Sequence, residues 1–292
     1  MPKKETKGGK YRGRIGALLI TPAFITQFIF GWFPIGVAFI VAFQKFYLFK
    51  NVYVGFDNFL YFLQNNPMTI ITFRNTLYYT GLSLALTFLV PILVAIFLME
   101  MRKGVIRAMM ILWFIPVASM AGIIIWKWFY DVQYGLFNGI LKSLSLPTLR
   151  WLDDPRIAML CMVLPGLIMY GPGLIYIASL QGIPDELYEA AELEGAGFWR
   201  KIWSITLPRL RPIIAMWLIL SIIIWFQVFD FPYIMTGGGP VYATRSVVIY
   251  MYDLAFGSFH YGKGTALSIM LFLVIMVLVV IQRKYFKENI DV

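Results

Sequence analysis

Residues 257–263, GSFHYGK, are the stretch of this sequence closest to a chemical motif. They match the first seven positions of a phosphate-binding loop, G-x-x-x-x-G-K. The next position of such a loop is Ser or Thr, which holds Mg²⁺, but Gly264 stands there. Bulky Phe259 and Tyr261 occupy the loop, and no strand pattern precedes it. We therefore expect no nucleotide at this site.

Metal and nucleophile chemistry lacks the residues that it needs. The chain has one His, His260, and one Cys, Cys161, which are too few for a zinc-protease site or a Cys/His metal site. No G-x-S-x-G nucleophile elbow occurs in the sequence. We interpret His260 as a loop residue and predict that the chain is not an enzyme and binds no metal or cofactor of its own.

The composition is that of a membrane protein. Of the 292 residues, 60% are hydrophobic and 14% are charged, whereas about 25% of the residues of a soluble domain are charged. Several apolar runs are about 20 residues long, which is enough to cross a ~30 Å hydrocarbon core. Because lipid satisfies no backbone polar group, such runs fold as helices. The sequence predicts an all-α integral membrane protein that contacts the lipid bilayer.

Six transmembrane helices are predicted from the apolar runs, at 15–43, 74–99, 108–129, 156–180, 212–234 and 264–282. They form one transmembrane domain, 15–282, between a basic tail, 1–14, and a second tail, 283–292. Gly171-Pro172-Gly173 should break the fourth span. A broken helix at membrane depth is tolerated where it lines a cavity, so the fourth and fifth spans are predicted to line a pathway.

Basic residues set the predicted orientation of these spans. Of the 25 Lys and Arg residues, 6 lie in the first tail, 3 in the 100–107 turn, 4 in the 181–211 segment and 3 in the last tail. Basic segments stay in the cytoplasm, so both termini and residues 181–211 are predicted to lie on the cytoplasmic side of the cell membrane. The net charge of +10 reflects the same bias, and we expect no nucleic-acid partner.

The longest polar segment between two apolar ones is 184–212, PDELYEAAELEGAGFWRKIWSITLPRLRP. Its first part carries five acids in ten positions and should form a helix. The small Ala190-Ala191 pair leaves one face of that helix shallow enough for another protein to approach. Gly195-Ala196-Gly197 should end the helix, because glycine is costly inside a helix and suited to its end. A second helix, from Phe198 to Thr206, should stop at Pro208.

This segment resembles the cytoplasmic signature loop of ABC-importer permeases, whose pattern is E-A-A, three residues, G, nine residues, then I-x-L-P. Both spacings are intact in the seven matching residues, which are Glu189, Ala190, Ala191, Gly195, Ile205, Leu207 and Pro208. The resemblance implies that residues 181–211 are a coupling loop that meets cytoplasmic ATPase subunits. It also implies the six-span fold of a type I ABC importer permease.

A second segment is similar to carbohydrate-importer permeases, specifically to the maltose-permease F type. It runs Met235-Thr236-Gly237-Gly238-Gly239-Pro240 and continues with Thr244, Tyr250, Tyr252, Ala255-Phe256 and Tyr261-Gly262. Together with the signature loop, the resemblance covers roughly residues 76–282. The best-known maltose subunit has extra N-terminal spans and a large external domain that this sequence lacks, so the chain is similar to the shorter, six-span members.

The resemblance implies the subunit of a binding-protein-dependent importer that forms the translocation pathway for a sugar or oligosaccharide. Its implied partners are a second homologous permease, two ATPase subunits that bind ATP and Mg, and an extracytoplasmic sugar-binding protein. The alternatives are an importer for glycerol phosphate or a polyol, a membrane enzyme, or an assembly factor. A phosphorylated solute should need Arg or Lys deep in the spans, and Lys127 near a span edge is the one visible.

Polar and aromatic residues of the spans are the candidates for contact with a sugar, because sugars bind to aromatic faces and hydrogen-bonding side chains in a mostly apolar cavity. They are Trp113, Tyr170, Tyr176, Ser221, Trp225, Gln227 and Asp230. Polar groups inside a membrane usually face the bundle interior or a water-filled path. The aromatic residues could instead be interface belts or packing residues, and Asp230 could lie at the water boundary.

Overall fold

The computed structural model describes residues 7–47, 50–64, 66–99, 101, 103–114, 120–169 and 173–287. The chain is mostly helical, as predicted. It divides into two compact units. The first unit comprises the residues up to 64 together with 253–269, and the second comprises 65–252 together with the residues from 270 onward.

The first unit consists of a long N-terminal helix, a hairpin and a short helix. Its elements are α1 (Lys7–Gln27), a π-helical segment π1 (Phe28–Trp32), α2 (Phe33–Ala42), β1 (Gln44–Tyr47), β2 (Lys50–Tyr53) and α3 (Asp57–Leu63). The strands pair antiparallel, with Gln44 opposite Tyr53 and Tyr47 opposite Lys50. This hairpin corrects the all-α prediction.

The second unit contains the helices that form most of the predicted spans. They are α4 (Pro67–Ser83), π2 (Leu84–Phe88), α5 (Leu89–Met99), α6 (Lys103–Phe114), α7 (Met120–Phe129), α8 (Leu136–Ser143), α9 (Ala158–Val163), α10 (Pro165–Met169), α11 (Gly173–Leu180), α12 (Asp185–Leu193), α13 (Phe198–Lys201), π3 (Ile202–Thr206), α14 (Leu207–Phe226), α15 (Asp230–Thr236) and α16 (Val247–Tyr252). The segment π4 (Asp253–Gly257) that follows belongs to the first unit, and helix α17 (Tyr261–Lys287) starts in the first unit and continues in the second.

Four stretches of the described residues are helical, long and apolar enough to cross a membrane: Leu18–Ala42, Pro67–Leu98, Phe198–Thr236 and Tyr261–Phe286. The predicted third and fourth spans each contain residues outside the described ranges, at 115–119 and 170–172. Tyr170 and most of the predicted Gly171-Pro172-Gly173 break therefore lie outside the described residues.

The second stretch begins seven residues before the predicted start of its span, because Asn66 caps it. The Asn66 side chain accepts a hydrogen bond from the Met68 backbone N–H at 3.0 Å, and Pro67 occupies the first turn. An N-cap side chain satisfies a donor that the first helical turn leaves free. The polar cap and the threonines that follow it concealed this helix start from a search for apolar runs.

Pro208 does not end the helix that precedes it, which corrects the prediction of a stop there. Of the four π-helical segments in the described residues, three end two or three residues before a proline, namely Pro34, Pro91 and Pro208. Proline has no N–H to donate to the carbonyl four residues earlier, and a wider turn accommodates the defect. In π3 the Leu207 N–H donates to the Ile202 carbonyl, five residues back. Residues 198–226 therefore continue as one helix.

Two hydrophobic clusters hold the second unit together. One gathers buried residues of α5, α11 and the start of α14, including Ile96, Ile177 and Leu210. The other gathers α4, α7, α9 and α15 around Trp126 and Met162. The half-buried Trp225 packs against both clusters, so the end of α14 lies between the two packed regions.

The phosphate-loop-like pattern has a packing role in the first unit. A Cβ at Gly262 would overlap the carbonyl oxygen of Gln44. The buried Asn58 side chain donates to that same carbonyl at 3.0 Å and to the Ala42 carbonyl at 2.8 Å. Lys263 Nζ lies 3.6 Å from the centre of the Tyr61 ring. The second glycine of the pattern therefore packs the start of α17 against the hairpin, and the lysine packs it against α3.

Candidate functional site

The acidic helix α12 covers Asp185–Leu193, with Pro184 immediately before it in an extended conformation. Gly195 ends it, as predicted, with a backbone φ of +76° that side chains rarely adopt. The Gly195 N–H donates to the Glu192 carbonyl and the Ala196 N–H donates to the Ala191 carbonyl, both at 2.9 Å. These bonds cap the last turn, so the chain reverses within three residues and starts α13.

Two side-chain contacts join α12 to the helix that follows it. Lys201 Nζ lies 2.6 Å from Glu192 Oε1, and the hydroxyls of Tyr188 and Thr206 are 3.1 Å apart. A cavity of about 340 Å³ lies beside these contacts, and Ile96 and Glu189 are among its lining residues. The two helices of residues 181–211 are therefore linked at both ends of their contact.

The seven signature residues divide into two sets. Ile205 and Leu207 are half-buried and pack against the cluster of α5 and α11. Glu189, Ala190, Gly195 and Pro208 are exposed, and Ala191 is half-buried. One set attaches the loop to the helices that cross the membrane region, and the other is presented outward.

Large exposed apolar side chains accompany the outward set, and the sequence analysis did not single them out. Leu193 is 91% exposed, Trp199 63% and Trp203 70%. A concentration of exposed apolar residues on a polar segment marks a contact surface for another molecule. The signal was present in the sequence, because two tryptophans stand four residues apart among the bases.

The fifth span is interrupted between α14 and α15. Gln227, Val228 and Phe229 separate the two helices. The Ser246 hydroxyl donates to the freed Val228 carbonyl at 2.8 Å, and the Gln227 amide donates back to the Ile223 carbonyl at 3.0 Å. Interrupted backbone of this kind is tolerated at membrane depth where it is buried in protein or lines a water-filled cavity.

The predicted pathway residues fall into different environments. Ser221 is buried, Trp225 is half-buried, and Gln227 and Asp230 are exposed at the helix interruption. These four follow one another along the fifth span. Tyr176 is separate from them: it is 1% exposed inside the packed cluster of α5 and α11. Trp113 lies in α6, but its side chain is outside the described residues, as is Tyr170.

An aromatic group beside the interruption was missed. The rings of Phe229 and Tyr233 stack at 4.7 Å between centroids, and the Tyr252 ring lies 5.3 Å and 5.4 Å from them. Tyr233 is 41% exposed and Tyr252 38%. The spacing of Phe229 and Tyr233 suggests a shared helix face, but nothing in the sequence indicates that Tyr252 joins them.

Hydrogen bonds from side chains of the same protein hold the glycine-rich segment, residues 237–247, in place. Thr244 Oγ1 donates to the Gly239 carbonyl at 2.6 Å. The buried Asn75 side chain on α4 donates to the carbonyls of Tyr242 and Arg245, at 2.7 and 3.2 Å. Asn75 belongs to a stripe of buried polar residues on the first spanning helix of the second unit, which also includes Thr72, Thr76, Thr80 and Ser83.

Lys127, the one cation that the sequence analysis noted inside a span, has a structural partner. Its Nζ donates to the Ile234 carbonyl at 2.9 Å, near the C-terminal end of α15. A cation at a helix C-terminus is favoured by the helix dipole. Lys127 thus links α7 to α15.

The chain is 33% identical to the trehalose/maltose transport system permease protein of Thermococcus litoralis over 286 residues, which cover 94% of the chain and 95% of that relative. This chain belongs to the carbohydrate-uptake family of ABC importer permeases. The permease is also 32% identical to the arabinooligosaccharides transport system permease protein of Bacillus subtilis, over 94% of its own length and 89% of the relative's. No protein-family model matches the permease.

Solved structures agree with this assignment. The permease superposes with a TM-score of 0.84 and 26% identity on a chain of a bacterial ABC transporter that imports the acidic polysaccharide alginate, covering 95% of the permease and 96% of that chain. A bacterial alginate ABC transporter in complex with a periplasmic protein bound to alginate pentasaccharide gives a TM-score of 0.83. The predicted family is confirmed, and a transport permease is supported over a membrane enzyme or an assembly factor.

Proposed function

We propose that the permease forms, together with a second homologous permease, the pathway by which a sugar or oligosaccharide enters a bacterial cell. It crosses the cell membrane six times with both termini in the cytoplasm. Two ATPase subunits bind ATP and Mg and meet the coupling loop, and an extracytoplasmic binding protein delivers the sugar. The permease itself binds no cofactor and catalyses no reaction.

The observation that carries this proposal is the construction of the coupling loop. The exposed faces of α12, Trp199 and Trp203 suit contact with a soluble subunit, while Ile205 and Leu207 pack into the helical core. A loop that presents one face to a partner and fixes the other in the transmembrane region can pass movement between them. Carboxylates on α12 can pair with an Arg of the ATPase, and hydrogen bonds to charged groups contribute about 1.5–3 kcal/mol.

Movement of the coupling loop reaches the proposed pathway through one continuous helix. Closure of the ATPases displaces α12, and the Glu192–Lys201 and Tyr188–Thr206 contacts pass that displacement to residues 198–226. The far end of this helix carries Trp225 and stops at the interruption. Tilting of packed helices between two arrangements is a common route by which a local push changes access to a distant site.

The sugar contacts the interruption of the fifth span in this account. Ser221, Gln227 and Asp230 supply hydrogen-bonding groups, and Trp225 and the Phe229–Tyr233–Tyr252 group supply aromatic surface. Sugar sites combine these two kinds of group. The sugar-transport names of the relatives favour a carbohydrate over a phosphorylated solute.

Uptake by the reconstituted complex tests the proposal. Proteoliposomes that contain both permeases and the ATPases should accumulate sugar when the loaded binding protein and ATP are supplied from the appropriate sides. Trp225→Ala should slow uptake at limiting sugar by removing a stacking surface, whereas Trp128→Ala, at a position 52% exposed on α7, should not. Equal uptake by the two variants would remove Trp225 from the pathway, and absence of sugar-dependent uptake by the unsubstituted complex would contradict the proposed substrate class.

A further inference from the structure

Helix α8 in the loop after α7 carries apolar side chains on its exposed side as well as on its inner side. Its inward Asn138 is fully buried. Leu136 and Ile140 of α8 and Leu144, which directly follows it, are spaced four residues apart and point outward. They are 43%, 47% and 62% exposed. A surface helix normally directs its apolar stripe toward the core. An apolar stripe left exposed on a helix should be covered by another apolar phase or surface.

The buried Asn138 is fully hydrogen-bonded, and its bonds fix which side of α8 faces inward. Its amide donates to the carbonyls of Val132 and Leu149, at 3.1 and 2.9 Å. Its oxygen accepts from the Leu149 N–H at 3.0 Å and from the Trp151 indole at 3.1 Å. Buried polar groups that are fully bonded fix a single arrangement. Turning α8 over would break all four hydrogen bonds.

Aromatic rings hold the inner side of α8 in place. The Phe137 ring lies 5.1 Å from Tyr130, 5.9 Å from Trp151 and 6.0 Å from Trp126. Asp131 Oδ1 also accepts from two backbone N–H groups of the connecting turn, at 2.9 and 2.8 Å. The outward stripe is therefore displayed on a rigid support.

Continuity and charge identify the membrane surface as the occupant. The stripe starts seven residues after Phe129, the last residue of α7, and the neighbouring Ile125 and Trp128 of α7 are 48% and 52% exposed. Lys142 and Arg150 are exposed bases close to the stripe, and the acids of the loop, Asp131, Asp153 and Asp154, lie at its two ends. Tryptophan and tyrosine are enriched where a membrane protein meets the headgroup layer. A short apolar face with flanking bases suits that layer.

We propose that α8 is an interfacial helix that lies on the extracytoplasmic leaflet, with Leu136, Ile140 and Leu144 inserted at the boundary between headgroups and acyl chains. This inference rests on the proposed function for the orientation of the permease. Apolar faces of such helices reach about 5–10 Å into the boundary. Because the loop joins α7 to α9, its attachment to the leaflet sets the depth of the chain between the third and fourth spans.

Spin labels measure this placement directly. Ile140→Cys and Leu144→Cys are labelled in the assembled importer in nanodiscs of phosphatidylglycerol and phosphatidylethanolamine. Lys142→Cys on the same helix is the matched control, and the unsubstituted complex gives the background. Collision with oxygen, which concentrates in lipid, should exceed collision with a water-soluble nickel chelate several-fold more at 140 and 144 than at 142.

Two results would overturn the proposal. Equal nickel access at all three positions would place the stripe in water. Protection of 140 and 144 that appears only when the binding protein is added would assign the surface to that protein. The readout is position rather than transport, so an importer that fails to move sugar in the uptake assay still gives a valid result here.

Discussion

The coupling loop and the glycine-rich segment are both polar connections to the fifth span, and they are built in opposite ways. None of the nine residues of α12, all of which the structure describes, is buried. In the glycine-rich segment Thr244 and Ser246 are 1% and 2% exposed. Its backbone carbonyls are bonded to side chains from α4 and from the segment itself.

The difference shows that the glycine-rich segment finds its hydrogen-bond partners within its own chain, whereas the coupling loop exposes groups that can bind a partner. Buried polar groups are costly unless they are bonded, and the glycine-rich segment meets that requirement from its own chain. The coupling loop leaves carboxylates, small residues and two tryptophans on its surface. It follows that substitutions in the coupling loop should alter coupling to partners, whereas substitutions around the glycine-rich segment should alter the stability of the fold.

The largest expected effect distinguishes two glycines of the coupling loop. Gly195→Asp should insert into the membrane and lose transport, because φ is +76° there and a side chain in that region costs about 1–2 kcal/mol and alters the docking face. Gly197→Asp is the matched control. Gly197 has φ of −72° at the N-cap of α13, where Asp is favoured. Uptake measured for both should be lost only in the first, and equal uptake would contradict the role of Gly195.

A smaller effect, on the stability of the fold, is expected when the buried Asn75 of α4 is substituted. Asn75→Leu leaves the carbonyls of Tyr242 and Arg245 without the donor that they now share, and an unsatisfied buried group costs about 1–3 kcal/mol. Thr80→Val is the control, since Thr80 Oγ1 is buried with no hydrogen-bond partner among the described residues. Thermal unfolding in detergent should show a lower Tm for Asn75→Leu and an unchanged or higher Tm for Thr80→Val. The reverse order would show that the segment is not held through Asn75.

The smallest effect is expected for the contact inside the coupling loop. The Lys201 side chain is 16% exposed and that of Glu192 60%, and exposed ion pairs contribute about 0.2–1 kcal/mol. A double-mutant cycle with Glu192→Gln and Lys201→Met should give a coupling energy in that range from unfolding midpoints. A value indistinguishable from zero would mean that the pair does not link the two helices of the loop.

Helix α12 and its end at Gly195 were predicted correctly because their signals are local. The acids of the first turn and the glycine after the last turn act within a few residues. The fate of Pro208 was not predictable in the same way, since a π-helical turn absorbs the missing N–H and the helix continues.

The bracing of the glycine-rich segment could not be predicted from spacing. Asn75 and Tyr242 are far apart in the chain and meet only through the tertiary fold. Tyr176 shows the same limit. An aromatic residue in a span is compatible with a sugar site, but the tertiary fold packs Tyr176 inside the hydrophobic cluster of α5 and α11. The threonines of α4 recur at helical spacing in the sequence. A search for apolar runs does not find them, because they are polar residues that other helices bury.

The central element of the proposed function is the contact between the coupling loop and the ATPase subunits. The amount of ATPase that copurifies with the permease tests this contact directly. Glu189→Lys reverses an exposed charge on α12 without touching the buried core. The complex purified through a tag on the permease should retain the second permease but recover less ATPase, and binding-protein-stimulated ATP hydrolysis should fall in proportion. Full ATPase recovery and full stimulated hydrolysis by Glu189→Lys, and by Gly195→Asp in the same assay, would contradict the claim that this loop couples ATP hydrolysis to transport.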